Sequence, residues 1–401
     1  MRPLSKCRPL TLATMLAVAA CGASQSANPG TSPLVHGDCQ IFGTMSRPED
    51  LERKDFWDYY ARYDLVLAAT TPGTVQPLRD RNPQIRVLAN VNPYFALGVP
   101  FWPDHVNRPE VEQPEWVLRD ERGEPIRYSG ALYHGMNPAD LPTMMDVRHP
   151  DWQRHFLDWT ARVVREEQLD GVFLDTFSAG YPDFCLTRDG KPCRDFAAPA
   201  WKQSAQEFLA MIRARFAPPL QVVFNGISVA PGGSGLGDAA FLQQADGACY
   251  EAFSIAWPID RDDASRQWYF DHAIQQAMVT CRQQGKSFLL QATGDAANEQ
   301  TRLYALGCFL LQKYEGAWFY FAPDEATSYW YPEWDLRLGA ARGDARQLGG
   351  IWVREYAHAR VFANPGGSAA TLALEREYSD WKGARVRTLA LAPWSATILR
   401  R

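Results

Sequence analysis

The chain has 401 residues and a formal net charge of −5. That acidic balance argues against a nucleic-acid partner, because phosphate binding needs a cationic surface. The length is more than one small core fills and suits a large domain carrying a small module.

Residues 1–20 read as an export signal. Arg2, Lys6 and Arg8 precede an apolar run at 10–20 that is too short to span a bilayer. Val18-Ala19-Ala20-Cys21-Gly22 sets small residues before a cysteine and resembles a bacterial lipobox, with Cys21 as the lipidated residue. An ordinary signal peptide cleaved nearby is the simpler alternative. Residues 21–36 are mostly Ser, Ala, Gly, Pro, Asn and Thr, a tether with nothing to bury. The expectation is an exported protein anchored by lipid to the membrane of the cell envelope.

Over 37–342, eight short apolar runs alternate with helical patterns. They are 39–43, 64–69, 86–91, 171–175, 221–225, 248–253, 287–292 and 317–321. Eight strands that are nearly continuous in apolar residues predict an α/β fold, a closed (β/α)8 TIM barrel buried on both faces. Pro150 opens a helix on which Trp152, Phe156, Trp159 and Val163 share one face. Residues 199–216 and 264–284 repeat that habit, and 297–314 form a more apolar helix. The connection between the third and fourth strands is long, with a Pro- and Trp-rich stretch at 93–142 and an apolar piece at 144–147. Such a loop at a barrel mouth shapes a substrate site. From 343 the pattern changes to strands at 351–353, 359–363, 369–374, 386–391 and 396–399 with no helices between them. This predicts a small antiparallel β-sandwich over 343–401.

Barrel chemistry sits at the C-terminal ends of the strands. Two predicted strand ends carry carboxylates: Asp175 follows four apolar or small residues, and Glu251 is bracketed by Tyr250, Ala252 and Phe253. A carboxylate there needs a partner or a job, because burying it alone is costly. Glycoside cleavage uses two such groups around one bond, one donating a proton and one acting as nucleophile or base. The two strands lie at separate points around the ring, so these side chains can face each other across the mouth; an arginine salt bridge is the structural alternative for each residue. Asn92, Asp146, Asn225 and Gln291 are candidates to bind sugar hydroxyls, with backbone capping as the alternative. Tyr94, Trp102, Tyr133 and Trp257 are candidates to stack on sugar rings, with plain packing as the alternative. The glycine-rich stretch 231–237 matches neither a phosphate loop nor a dinucleotide fingerprint, and reads as a loop over the mouth.

Six cysteines follow Cys21: Cys39, Cys185, Cys193, Cys249, Cys281 and Cys308. An even number in an exported chain suggests disulfides, and Cys185 with Cys193, flanking a polar turn, is the best candidate pair. The pairing of the others stays open, and a buried free thiol is an alternative for Cys249. With no C-x-x-C and no histidine cluster near a strand end, neither a metal nor a cofactor is expected. The lack of a G-x-S-x-G elbow argues against a serine hydrolase.

Asp170-Gly171-Val172-Phe173-Leu174-Asp175 resembles a strand of bacterial glycosyl hydrolases related to the endo-α-1,4-polygalactosaminidases. Asp246-Gly247-Ala248-Cys249-Tyr250-Glu251-Ala252-Phe253 resembles a second strand of that group. Segments 86–93 and 145–152 match in order. The tail at 360–365 and 391–396 resembles the terminal module of the hypothetical glycosyl hydrolase-like family fifteen. The resemblance implies a barrel, a carbohydrate substrate, and Asp175 and Glu251 in catalytic positions. Thr176 stands where the polygalactosaminidase pattern usually has Asn. The rival reading is a surface lipoprotein that binds glycans on the same barrel without cutting them.

Overall fold

The computed structural model describes residues 37–45, 54–68, 73, 75–95, 112–128, 141–177, 185–186, 199–227, 236, 239–251, 267, 270–322 and 329–401. Eight parallel strands form one sheet. They are β1 (Phe42–Thr44), β2 (Leu65–Ala68), β3 (Arg86–Val91), β4 (Gly171–Leu174), β5 (Gln221–Asn225), β6 (Gly247–Tyr250), β7 (Ser287–Thr293) and β8 (Ala317–Ala322). Each pairs with the next in chain order, and an Ile41↔Phe319 bridge returns the last strand to the first. A Phe319 N–H bond of 2.9 Å to the Gln40 carbonyl supports that closure. The predicted (β/α)8 barrel is therefore the observed architecture.

Each strand is apolar along its length because one face fills the barrel and the other meets helices. Val87, Val172, Val222 and Phe288 are all completely buried. The helix Pro150–Glu166 shows how sequence makes such a layer. Proline at its first position loses no needed donor, and the His149 ring accepts the Asp151 N–H as the cap. Trp152, Phe156, Trp159 and Val163 then bury one stripe, each contributing about 1.5–3 kcal/mol of transfer free energy. Helices Pro199–Arg215 and Glu299–Gln312 follow the other predicted segments. The predicted helix at 264–284 is of two kinds: Phe270–Ala277 is wound as a π-helix and runs into the α-helix Met278–Gln283. Among the described residues no helix is long and apolar enough to cross a membrane.

The C-terminal strands form one six-stranded antiparallel sheet: β9 (Arg346–Leu348), β10 (Ile351–Glu355), β11 (Ala359–Asn364), β12 (Ala370–Asp380), β13 (Arg385–Leu391) and β14 (Ser395–Arg400). Its order is β9-β10-β11-β14-β12-β13. β12 touches β14 only near Ser379 and Asp380. The β12–β13 hairpin and the rest of the sheet enclose a second small core containing Ile351, Val353, Phe362, Leu389 and Leu399. The predicted C-terminal antiparallel module is thus present, as one six-stranded sheet.

Residues Val35–Arg401 form a single compact unit. The other face of the sheet belongs to the barrel's own core through Val361, Ala363, Trp394 and Ile398. Arg354 donates to the carbonyls of Leu310 (3.2 Å) and Lys313 (2.7 Å), and the Tyr356 hydroxyl donates to Leu310 O at 2.6 Å. The last helical carbonyls, which have no partner inside the helix, are satisfied from the sheet. Gly307 lets the two approach, since a Cβ there would meet Ala396 Cβ at 2.4 Å.

Candidate active site

The first half of each D-G motif acts at the N-terminal end of the barrel. Asp170 Oδ2 accepts the Val87 N–H at 2.7 Å and faces Arg79 at 3.1 Å. Asp246 Oδ2 accepts the Val222 N–H at 2.8 Å and faces Arg213 at 3.3 Å. Asp64 does the same for Ile41 at 2.7 Å. Each carboxylate satisfies a backbone donor at the start of a neighbouring strand. The glycine that follows is a matter of space. A Cβ on Gly171 would lie 2.0 Å from Gln221 O, and one on Gly247 would lie 2.5 Å from Ser287 O.

At the opposite end the same strands run into Asp175 and Glu251. Asp175 is half-buried and Glu251 is exposed. The Asp175 N–H is held by Val91 O at 2.8 Å. The next residue, Thr176, has φ +54°, a left-handed conformation that costs a β-branched residue of order 1–2 kcal/mol. This turn delivers the Phe177 N–H to the Asn225 carbonyl at 2.7 Å.

Asn225 ends β5, with β4 on one side and β6 on the other. Its side-chain nitrogen donates to Asp175 Oδ1 at 2.9 Å and to Glu251 Oε1 at 2.9 Å. The two carboxylates therefore converge on one amide. They lie on β4 and β6, two non-adjacent strands that flank β5. Cys249 sits beside this pair. Burial, and then the charges of Glu251 and Asp175, push its thiol well above the usual range.

The other predicted residues divide. Gln291 is half-buried on β7, one step beyond the Tyr250↔Leu290 pair and so level with Glu251. Asn92 follows β3; its Oδ1 accepts the N–H groups of Tyr94 (2.9 Å) and Phe95 (3.2 Å), the capping alternative. Its Nδ2 is buried with no partner among the described residues, a donor still to be satisfied. Asp146 is held in a fork by Arg148, at 2.7 and 2.8 Å, and also accepts the Arg148 N–H at 2.9 Å. That arginine, two residues on, favours the local structural reading of Asp146. Tyr94 is buried against Phe177 and Trp201, with ring centroids at 4.8 and 5.8 Å, which is packing geometry. Trp257, Trp102 and Tyr133 lie outside the described residues, as do Cys21, Cys193 and nearly all of 231–237.

The described cysteines correct one expectation. Cys39, Cys249, Cys281 and Cys308 are free thiols, each buried in the core. Burial raises Cys39, Cys281 and Cys308 to about 12, so none offers a thiolate for exchange. Of the proposed Cys185–Cys193 pair, only the backbone of Cys185 is described. It lies in a two-residue strand, Cys185–Leu186, paired with Arg127–Tyr128 from the long loop after β3. The loops after β3 and β4 thereby pair with each other on the side where the carboxylates emerge.

A parallel eight-stranded barrel with carboxylates at the ends of the two strands that flank β5 defines the class, a barrel glycosyl hydrolase. The chain belongs to hypothetical glycosyl hydrolase family 15, whose model matches residues 79–360. No curated protein matches the chain in sequence. Among solved structures, it is similar to a noncanonic maltogenic α-amylase, AmyB, from Thermotoga neapolitana. The identity is 13% over 90% of this chain and 98% of that one, with a TM-score of 0.49. An Anoxybacillus α-amylase is 11% identical over 90% and 97% of the two chains, at a TM-score of 0.48. An α-L-fucosidase isoenzyme 2 from Paenibacillus thiaminolyticus is 12% identical over 70% and 46%, at 0.45.

Proposed function

We propose that the protein cuts glycosidic bonds of a polysaccharide or oligosaccharide, with Asp175 as nucleophile and Glu251 as general acid and base. One observation carries this reading: a carboxylate oxygen of each residue sits 2.9 Å from the same Asn225 nitrogen. In the first step Asp175 attacks the anomeric carbon. The bond to the leaving oxygen breaks, and that oxygen takes the Glu251 proton. In the second, water attacks the anomeric carbon, gives its proton to Glu251, and the ester bond to Asp175 breaks. Gln291, level with Glu251, is the polar group best situated to meet a sugar hydroxyl.

The test is reducing-end release from a panel of polysaccharides. Wild type is expected to cut at least one of them, and Asp175→Asn and Glu251→Gln are expected to cut none measurably. A wild-type protein that retains a glycan without releasing ends is instead the non-catalytic binder.

We also propose that the protein is exported and held to the envelope membrane through Cys21, on the strength of the 18–22 motif and the tether after it. Cys21→Ser is expected to move the protein from the membrane fraction to the soluble fraction. Unchanged fractionation contradicts the anchor.

A further inference from the structure

We infer that Asn225 is a positioning residue that fixes the spacing of Asp175 and Glu251, and not a ligand for sugar. Its consequence for rate rests on the glycosidase reading; its geometry does not. Ionised Asp175 only accepts hydrogen bonds, and the acid form of Glu251 keeps one oxygen that accepts, so the amide turns its nitrogen towards both. Both bonds are 2.9 Å long. The two N–H bonds of an amide diverge by about 120°, which sets the accepting oxygens about 5 Å apart. They cannot exceed twice the bond length. Double displacement sets the carboxyl groups roughly 5–5.5 Å apart and single displacement roughly 6.5 Å or more, so nearest oxygens held this close favour double displacement. The expected stereochemical outcome is retention.

The amide is itself aimed from behind. Asn225 is 5% exposed, its strand pairs on both sides, and its carbonyl accepts the Phe177 N–H. The left-handed turn at Thr176 thus links the residue after the nucleophile to the strand that carries the bridge. With both N–H groups committed to carboxylates, Nδ2 has no hydrogen left for a sugar hydroxyl. Its partial positive charge also favours the ionised form of Asp175 that the nucleophile needs.

Two variants test this. Asn225→Ala removes the amide, and Asn225→Asp keeps its shape while replacing the donor with an acceptor. Crystal structures of wild type and both variants would read the spacing, and kinetics on whichever polysaccharide wild type cuts would read the consequence. In both variants the carboxylates are expected to separate by about 1 Å or more and kcat to fall about 10²-fold. KM is expected to stay within about threefold. Carboxylates that do not move in the variants overturn the proposal. So does a raised KM with kcat intact, the signature of a lost sugar contact, or full activity in the shape-preserving Asn225→Asp. Should Asn225→Ala fail to fold, Asn225→Asp alone decides. Should wild type cut no glycan, the glycosidase reading fails, while the crystallographic comparison still decides the spacing.

Discussion

Asp170 and Asp175 bound the same strand of the barrel and lead different lives. Asp170, at the N-terminal end, is occupied by a backbone N–H of the neighbouring strand and by Arg79. Asp175, at the C-terminal end, meets an amide that it shares with a second carboxylate. β6 repeats the contrast between Asp246, on Val222 N–H and Arg213, and Glu251. One end of each strand spends its acid on holding the barrel together, and the other presents it at the mouth, where we propose the chemistry takes place. This division is what the barrel architecture permits: the bottom can be fixed while the top varies.

The largest effects expected from breaking this contrast are at the top. Asp175→Asn and Glu251→Gln should each lower turnover by at least about 10³-fold. Their urea midpoints should stay near wild type. Loss of activity together with loss of fold would make these carboxylates structural as well.

At the bottom the order reverses. Gly171→Ala would drive a Cβ into the Gln221 backbone and should cost about 3 kcal/mol or more. Urea unfolding, or failure to accumulate soluble protein, would show it, and wild-type stability would contradict the close packing. Asp170→Asn keeps the shape but weakens a charge-assisted bond and a partly exposed ion pair. A loss of about 1–2 kcal/mol is expected, with turnover per folded molecule unchanged. A selective loss of turnover would move Asp170 into the catalytic account.

Much of this was legible in the sequence, for identifiable reasons. The runs at 86–91 and 221–225 have the same bounds as β3 and β5, because the polar residues Arg86, Gln221 and Asn225 mark where the buried apolar stretches start and stop. The first run, 39–43, starts too early. Gln40 has a left-handed φ of +59° and Ile41 is capped by Asp64, so the extended strand begins beyond them. Asp175 stood out because a charge abruptly stops an apolar run, and Glu251 because a charge interrupts one. The work of Asn225 did not. It depends on which strands flank β5 and how far each advances, and no local pattern records that register. Asp146 was hard for a similar reason, since its identity alone does not reveal whether Arg148 folds back onto it. The free thiols of Cys249, Cys281 and Cys308 follow from core packing, which an even cysteine count does not report.

The most direct measurement is the mass of the protein caught in mid-reaction. Glu251→Gln protein, which lacks the proton donor and base, is mixed with an activated aryl glycoside of the sugar that wild type releases. It is then quenched, digested and weighed peptide by peptide. One glycosyl unit on the peptide containing Asp175, absent when Asp175→Asn is added to the same protein, is the predicted result. A sugar attached to another residue, or net inversion by a wild-type enzyme that forms no adduct, would contradict a nucleophile at Asp175.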